Sequence, residues 1–215
     1  VKGIGPKLAA RIVDRFGAET LNIMERDPER LAEVPGITLE KAKHIGSAFR
    51  QQTGMRRLIE FLSLHHLPTE LAVRLYRLWG DEAMDILYSD PYCLTEPGLD
   101  AGFNLVDHFA IDLGVSADDE RRVEAGLIFE LRHNLTVGHV FLPEDKLVGA
   151  TSLLLTVPTD VIRQGVKRLV EAGKIVRDGL AGIEIVYLPE LHEDELYVES
   201  RLKDMARAEL KAPRN

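Results

Sequence analysis

The sequence predicts a mainly α chain, in which two copies of one helical unit precede a smaller α/β unit. Three observations support this. Aromatic residues are scarce, at 6%, and apolar residues fall mostly in helical rather than alternating register. A set of apolar and turn residues recurs at a fixed spacing through the first half of the chain. After residue 117 the rhythm changes, with short apolar runs and a glycine-rich turn set among helices.

The repeat is read residue by residue. Phe16-Gly17 recurs as Trp79-Gly80 and Asp27-Pro28 as Asp90-Pro91, both at a spacing of 63. At that spacing Leu8 meets Leu71, Ala9 meets Ala72, Ile12 meets Leu75, Glu19 meets Glu82, Leu21 meets Met84 and Met24 meets Leu87. Pro35-Gly36-Ile37 meets Pro97-Gly98-Leu99 at 62, one deletion away. The copies occupy residues 1–50 and 58–114 and define units 1–57 and 58–116. Within the first copy, Leu8, Ile12, Val13 and Phe16 follow helical spacing, and Gly17 suits the position just past a helix end. A second short helix is expected over 19–26. Asp27 before Pro28 is an N-cap followed by a first-turn proline, opening a third helix through Val34. Pro35-Gly36 ends it, and 39–49 forms a fourth.

The sharpest chemical signal is Gly3-Ile4-Gly5-x-Lys7-Leu8-Ala9, with its companion Val34-Pro35-Gly36-Ile37 and then Lys41-Ala42. Both resemble the helix-hairpin-helix motif, in which a glycine–apolar–glycine turn joins two short helices and holds a DNA backbone. Glycine permits close approach of the main chain to a phosphate. The helix that follows supplies free N–H groups and a partial positive charge. Ile4 and Ile37 would plug the turns into the core, while Lys7, Lys41 and Lys43 would add to the phosphate field. Thr38 stands where a second glycine is usual, which makes the second hairpin a weaker phosphate ligand or a support for the first. The candidate DNA-binding residues are therefore Gly3, Ile4, Gly5, Lys7, Gly36, Ile37, Thr38, Lys41 and Lys43. The bland alternative is a pair of glycine turns without a ligand.

In the repeat at 58–114 the first turn is His66-Leu67-Pro68-Thr69, without glycine, and the second is Pro97-Gly98-Leu99-Asp100. Proline removes an N–H donor and Asp100 would repel phosphate, so this degenerate copy reads as a structural or partner-binding relative. His65 and His66 are adjacent, point about 100° apart on a helix and have no Cys or carboxylate cluster beside them. No metal site is expected.

Residues 117–189 give helix, strand, helix, helix, strand, strand. Helices are expected over 118–134, 145–155 and 159–172, a strand over 138–143, and a strand pair over 174–177 and 183–188 across a 178–182 turn. That order is winged-helix-like. Such a unit often meets DNA through its third helix, which offers Arg163, Lys167 and Arg168 as a second possible contact, and equally often docks proteins. Residues 190–215 read as a charged helix with Leu191, Leu196, Val198 and Leu202, leading towards a further domain.

Charge distribution agrees with this placement. The net charge is −8, yet residues 1–57 hold 11 Lys/Arg against 7 Asp/Glu while the remainder holds 16 against 28. Such asymmetry points to a nucleic-acid contact in the basic part; chance segregation of solvated faces is the competing explanation. One cysteine, Cys93, excludes an internal disulfide framework and suits a reducing cytoplasm. No apolar run approaches a membrane span and no secretory signal opens the chain. The absent initiator Met and the start inside a motif are those of a piece trimmed from something longer.

The order of parts carries a wider resemblance. Tandem hairpins, then Gly102-Phe103 and a helix ending Asp112-Leu113-Gly114, then Gly138-His139-Val140-Phe141-Leu142-Pro143, then Tyr187-Leu188-Pro189 before a helix, resemble the N-terminal region of RecD-like helicases. These are bacterial relatives of the exodeoxyribonuclease V alpha subunit, of the RecD/TraA type. The resemblance implies a 5′-to-3′ DNA helicase of repair and recombination, driven by ATP with Mg²⁺. Its motor needs a G-x-x-x-x-G-K-[ST] loop, and no stretch of this sequence has that frame, so no catalytic residue, metal or cofactor is assigned to the chain itself. Three functions fit: a non-sequence-specific DNA-binding accessory region of such a helicase, a hairpin domain of another DNA repair protein, or a protein-docking scaffold whose hairpins bind protein and never touch DNA; residues 58–189 are the expected surface for a protein partner.

Overall fold

The computed structural model describes residues 4–209. The chain divides into two compact units, Val1–Asp100 and Ala101–Asn215.

In the first unit, α1 (Pro6–Phe16), a 3-10 turn (Gly17–Glu19), α2 (Thr20–Arg26) and a second 3-10 turn (Pro28–Glu33) lead into α3 (Leu39–Leu64). Then α4 (Leu71–Trp79), a 3-10 turn (Gly80–Glu82), α5 (Ala83–Ser89) and a 3-10 turn (Pro91–Thr95) repeat the pattern. The repeat is geometric as well as textual. Gly17 and Gly80 share φ/ψ of 53/−129° and 57/−129°. Asp27 and Asp90 sit at −141/60° and −144/87°, and Gly36 and Gly98 have φ of 87° and 92°. Each glycine occupies a region that other residues adopt only under strain. The first copy closes its core with Leu8, Ile12, Ile23, Met24, Leu31, Val34, Ile37, Ala42 and Ile45, against which Ile4, Phe16 and Phe49 pack. Leu71, Ala72, Leu75, Leu87, Leu94 and Leu99 are buried in the second.

Three expectations are corrected here. Val13 is 53% exposed, because α1 buries the face of Leu8 and Ile12. The expected third helix is a 3-10 turn, Pro28–Glu33, and Asp27 makes no capping bond, whereas Asp90 accepts from the Tyr92 N–H at 3.1 Å. The expected helix over 39–49 runs on to Leu64, so the joint between the copies at 57/58 falls inside α3. Gly54 does not break that helix. A Cβ there would lie 2.7 Å from Tyr76 Cε2 and 2.8 Å from Asp81 Oδ1, so the absent side chain is what lets α4 and its following turn come close. At its end the His66 N–H donates to the Ser63 carbonyl and the Leu67 N–H to the Leu62 carbonyl, at 3.2 and 2.8 Å. This is a Schellman closure with His66, φ 56°, in the left-handed position and Leu67 buried behind it.

Cys93 lies half-buried in the Pro91–Thr95 turn, where burial, with Asp90 and Glu96 nearby, pushes its thiol up to about 12. The thiolate is the reactive form. The folded chain is therefore expected to take up iodoacetamide at neutral pH far more slowly than the urea-unfolded chain; equal rates would refute this.

In the second unit, α6 (Phe103–Asp112) and α7 (Glu120–Leu135) precede β1 (Phe141–Pro143), α8 (Glu144–Leu155), α9 (Thr159–Glu171), β2 (Val176–Leu180), β3 (Ile183–Tyr187) and α10 (Pro189–Glu209). The sheet is antiparallel with order β1-β3-β2, pairing Leu142 and Arg177 with Val186 on either side. Its first strand is shorter than expected, because Gly138, φ 91°, still belongs to the turn after α7. The glycine-rich turn is tighter, with Ala181 and Gly182 at φ 51° and 81° forming the two-residue connection that suits twisted strands. Val123, Leu127, Leu147, Val148, Ile162, Val166, Leu169, Ile185 and Val186 form the core. On α10 the expected apolar positions Leu196, Val198 and Leu202 are 50%, 51% and 60% exposed.

Thr156 ends α8 in the left-handed region, φ 56°, ψ 46°, with the Val157 N–H reaching back to the Ser152 carbonyl at 3.2 Å. A β-branched residue there costs about 1–2 kcal/mol. Thr156→Gly is expected to raise stability by about 1 kcal/mol after the added chain entropy of glycine, read as a higher urea midpoint. A lower midpoint would count against it.

Candidate nucleic-acid interface

The first turn is described from Ile4 onward; Gly3 lies outside the described residues. Ile4 is half-buried against the core, and Gly5, φ −83° and ψ 166°, stands at the N-cap of α1 with open space around it. Gly5 has no side chain with which to cap, and Pro6 occupies the first helical position without an N–H. Lys7 is exposed on the first turn of the helix.

The second turn is built from Val34 to Lys41. The Ile37 N–H donates to the Val34 carbonyl at 3.1 Å, Gly36 takes φ 87°, and Ile37 is buried. Thr38 is extended, at φ −79° and ψ 161°, a conformation any residue adopts, so no glycine is required there. Its hydroxyl accepts from the Lys41 N–H at 3.2 Å and caps α3. That cap stabilises the helix and removes one N–H from the set open to an anion. Lys41 is exposed; Lys43 pairs with Glu29 at 3.6 Å.

Sequence reasoning passed over Arg11. Its guanidinium nitrogens lie 3.5 and 3.7 Å from where a Cβ on Gly36 would be, so α1 brings a cation to the second turn. Together with Asp14, Arg15, Val34 and Pro35 it lines a cleft of about 290 Å³. The available signal was the repeat itself, since Arg11 and Arg74 also stand 63 residues apart. Beside it, Glu33 accepts from Arg15 at 2.7 Å and Arg30 at 3.3 Å, and these bonds hold its carboxyl below the usual range. Among the described residues Lys7, Arg11 and Lys41 make no ion pair, while Arg15, Arg30 and Lys43 are engaged with carboxylates.

The second candidate contact is arranged differently. On α9, Arg163 pairs with Asp145 at 2.7 Å, Lys167 with Glu171 at 3.8 Å, and Arg168 with Glu124 and Glu120 at 3.1 and 3.4 Å. Each of the three faces a carboxylate of its own unit, with Lys167 the most exposed. In the degenerate hairpin the Gly98 N–H donates to Asp100 Oδ2 at 3.2 Å, and Arg74 donates to the Gly98 carbonyl at 2.7 Å. The His65 ring lies tilted against Phe61, their ring centroids 4.7 Å apart, and His66 serves the helix closure described above. No group of three or more His, Cys, Asp or Glu suited to a metal occurs among the described residues, nor does any helix there long and apolar enough to cross a membrane.

Comparison with known proteins agrees with this architecture. Residues 1–51 match the SAM-like helix-hairpin-helix tandem, and residues 51–141 match the helix-hairpin-helix domain of ATP-dependent RecD2 DNA helicases. The chain is 31% identical, over 224 aligned positions, to the ATP-dependent RecD2 DNA helicase of Deinococcus radiodurans; the alignment covers 99% of the chain and 30% of that relative. The chain thus spans about a third of the length of the curated relative it matches. With hairpins repeated in sequence and backbone, and a family domain across their second copy, the chain aligns along nearly all of its length with a RecD-like DNA helicase and carries the helix-hairpin-helix domain of that family.

Proposed function

We propose that the first unit binds DNA through its phosphate backbone, without regard to base sequence, as the accessory region of an ATP-dependent 5′-to-3′ helicase of DNA repair or recombination. The ATP and Mg²⁺ chemistry belongs to a motor outside these 215 residues. One observation carries the reading: two hairpin turns, at Gly5 and at Gly36, each deliver a helix N-terminus with an exposed lysine free of ion pairs among the described residues. Phosphate contacts position a protein on DNA and carry no sequence information. Ile4 and Ile37 serve from beneath, anchoring the turns, and Lys43 is a weaker contributor because Glu29 competes for it.

The second unit we read as winged-helix-like on the strength of its element order and sheet topology. Its α9 cations are all matched by carboxylates, which favours a structural or protein-docking role for it over a second DNA contact.

The test is a fluorescence-anisotropy titration of a forked DNA at several salt concentrations, with the wild-type chain and a Lys7→Glu/Lys41→Glu variant. Affinity of the wild type is expected to fall with salt. The variant is expected to bind at least tenfold more weakly at low salt, with a salt slope shallower by about 0.9 per lost phosphate contact. Weak, salt-independent binding by both folded proteins would favour the docking scaffold.

A further inference from the structure

On the DNA-binding reading above, we infer that Arg11 is a phosphate ligand that acts with the Gly36 turn. The two copies provide an internal comparison. Each places an arginine of its first helix beside the glycine of its second turn, Arg11 at Gly36 and Arg74 at Gly98. In the second copy that turn is satisfied by its own chain. Arg74 is spent on the Gly98 carbonyl, and the Gly98 N–H is met by the Asp100 carboxylate. The protein thus supplies an anion at the glycine N–H.

The first copy has the same parts without the internal partners. Arg11 is exposed and has neither ion pair nor hydrogen bond among the described residues. No carboxylate follows Ile37; Thr38 stands there, its hydroxyl turned to the Lys41 N–H. A diester oxygen supplies what Asp100 supplies in the other copy and pairs with the guanidinium as well. The planar fork of arginine suits such an oxygen better than an ammonium does, and the missing Cβ of Gly36 lets the backbone approach. Asp14 borders the same cleft, and Glu33 is already held by Arg15 and Arg30, so the three arginines outnumber the two carboxylates locally.

The competing role for Arg11 is to brace the turn, as Arg74 does, and the repeat separates the two. Arg11→Gln, Arg11→Lys and Arg74→Gln are made in the full chain, and thermal unfolding and the salt dependence of DNA binding are measured for each. Arg11→Gln is expected to bind roughly tenfold more weakly, with a slope shallower by about 0.9 and an unchanged melting midpoint. Arg11→Lys keeps the slope. Arg74→Gln melts earlier and binds as the wild type does. A wild-type slope in Arg11→Gln, in a chain that does bind DNA, overturns the role of Arg11 alone. Absence of salt-dependent binding by the wild type overturns the DNA-binding reading and this inference with it.

Discussion

Replacing Arg122 with Ala is expected to lower the stability of the second unit by about 3–5 kcal/mol, the cost of breaking a buried ion pair from one side. Arg122 is 6% exposed. Its Nε and Nη2 donate to the two oxygens of Asp107 at 2.8 and 2.9 Å, and its Nη1 donates to the carbonyls of Ala117 and Leu155 at 2.7 and 3.1 Å. One guanidinium therefore ties α6, the loop before α7 and the C-terminal end of α8 to α7. Truncation takes from the Asp107 carboxylate its bidentate partner, and from two carbonyls their donor, in a poorly solvated place. Since whole domains are stable by only about 5–15 kcal/mol, this loss would leave the unit close to unfolding at ambient temperature. Urea titration of the chain measures it, and a loss below about 1 kcal/mol, within the range of exposed pairs, would contradict the assignment. An Arg122→Met/Asp107→Leu chain is expected to recover part of the loss, because replacing both buried partners by apolar groups removes the stranded charge.

Gly46→Ala carries the second large effect, and its sign is the informative part. Glycine in a helix interior normally costs about 1 kcal/mol relative to alanine, so the exchange should stabilise α3. At this position a Cβ would lie 2.3 Å from Pro28 Cβ and 2.6 Å from Pro28 Cγ, with the Met24 carbonyl at 3.3 Å. A proline ring is fixed to the backbone and cannot swing aside, so the 3-10 turn must move off the helix. The expected outcome is a net loss of about 1–3 kcal/mol, the usual range for overpacking. Gly149 in α8 is the matched control, for nothing approaches its missing side chain within 4 Å. Gly149→Ala is expected to gain roughly 0.5–1 kcal/mol. Urea midpoints for the two chains moving in the same direction would refute the steric account.

Much of the architecture was legible because its signals are local. Gly17 and Gly80 announce themselves through conformations that few other residues adopt, Asp90 through the proline that follows it, and a duplicated spacing turns weak signals into a strong one. The sheet and the succession of helices around it were legible for the same reason. What escaped depends on contacts distant in sequence. Gly54 reads as a helix weakness until Tyr76 and Asp81 are seen packed on it. Asp27 and Asp90 each precede a proline that opens a 3-10 turn, yet only Asp90 caps. The cations of α9 look available in sequence, but Asp145 lies 18 residues from Arg163 and Glu124 lies 44 from Arg168. At the candidate interface the turns were legible; the arginine that α1 carries to Gly36 was not, because that meeting depends on how the helix packs.

The helix common to both hairpin copies has a consequence for dissection. At about 1.5 Å per residue its 26 residues form a rod of roughly 39 Å. The first copy lays Ala42 and Ile45 of this rod into its core, and Leu58, Phe61 and Leu62 are buried further along it. A cut at the textual joint severs this rod within its helical span and parts Gly54 from the α4 residue Tyr76 that packs on it. Duplication has here produced two motifs and a single mechanical member, and strain on one end is delivered to the other without passing through any flexible link.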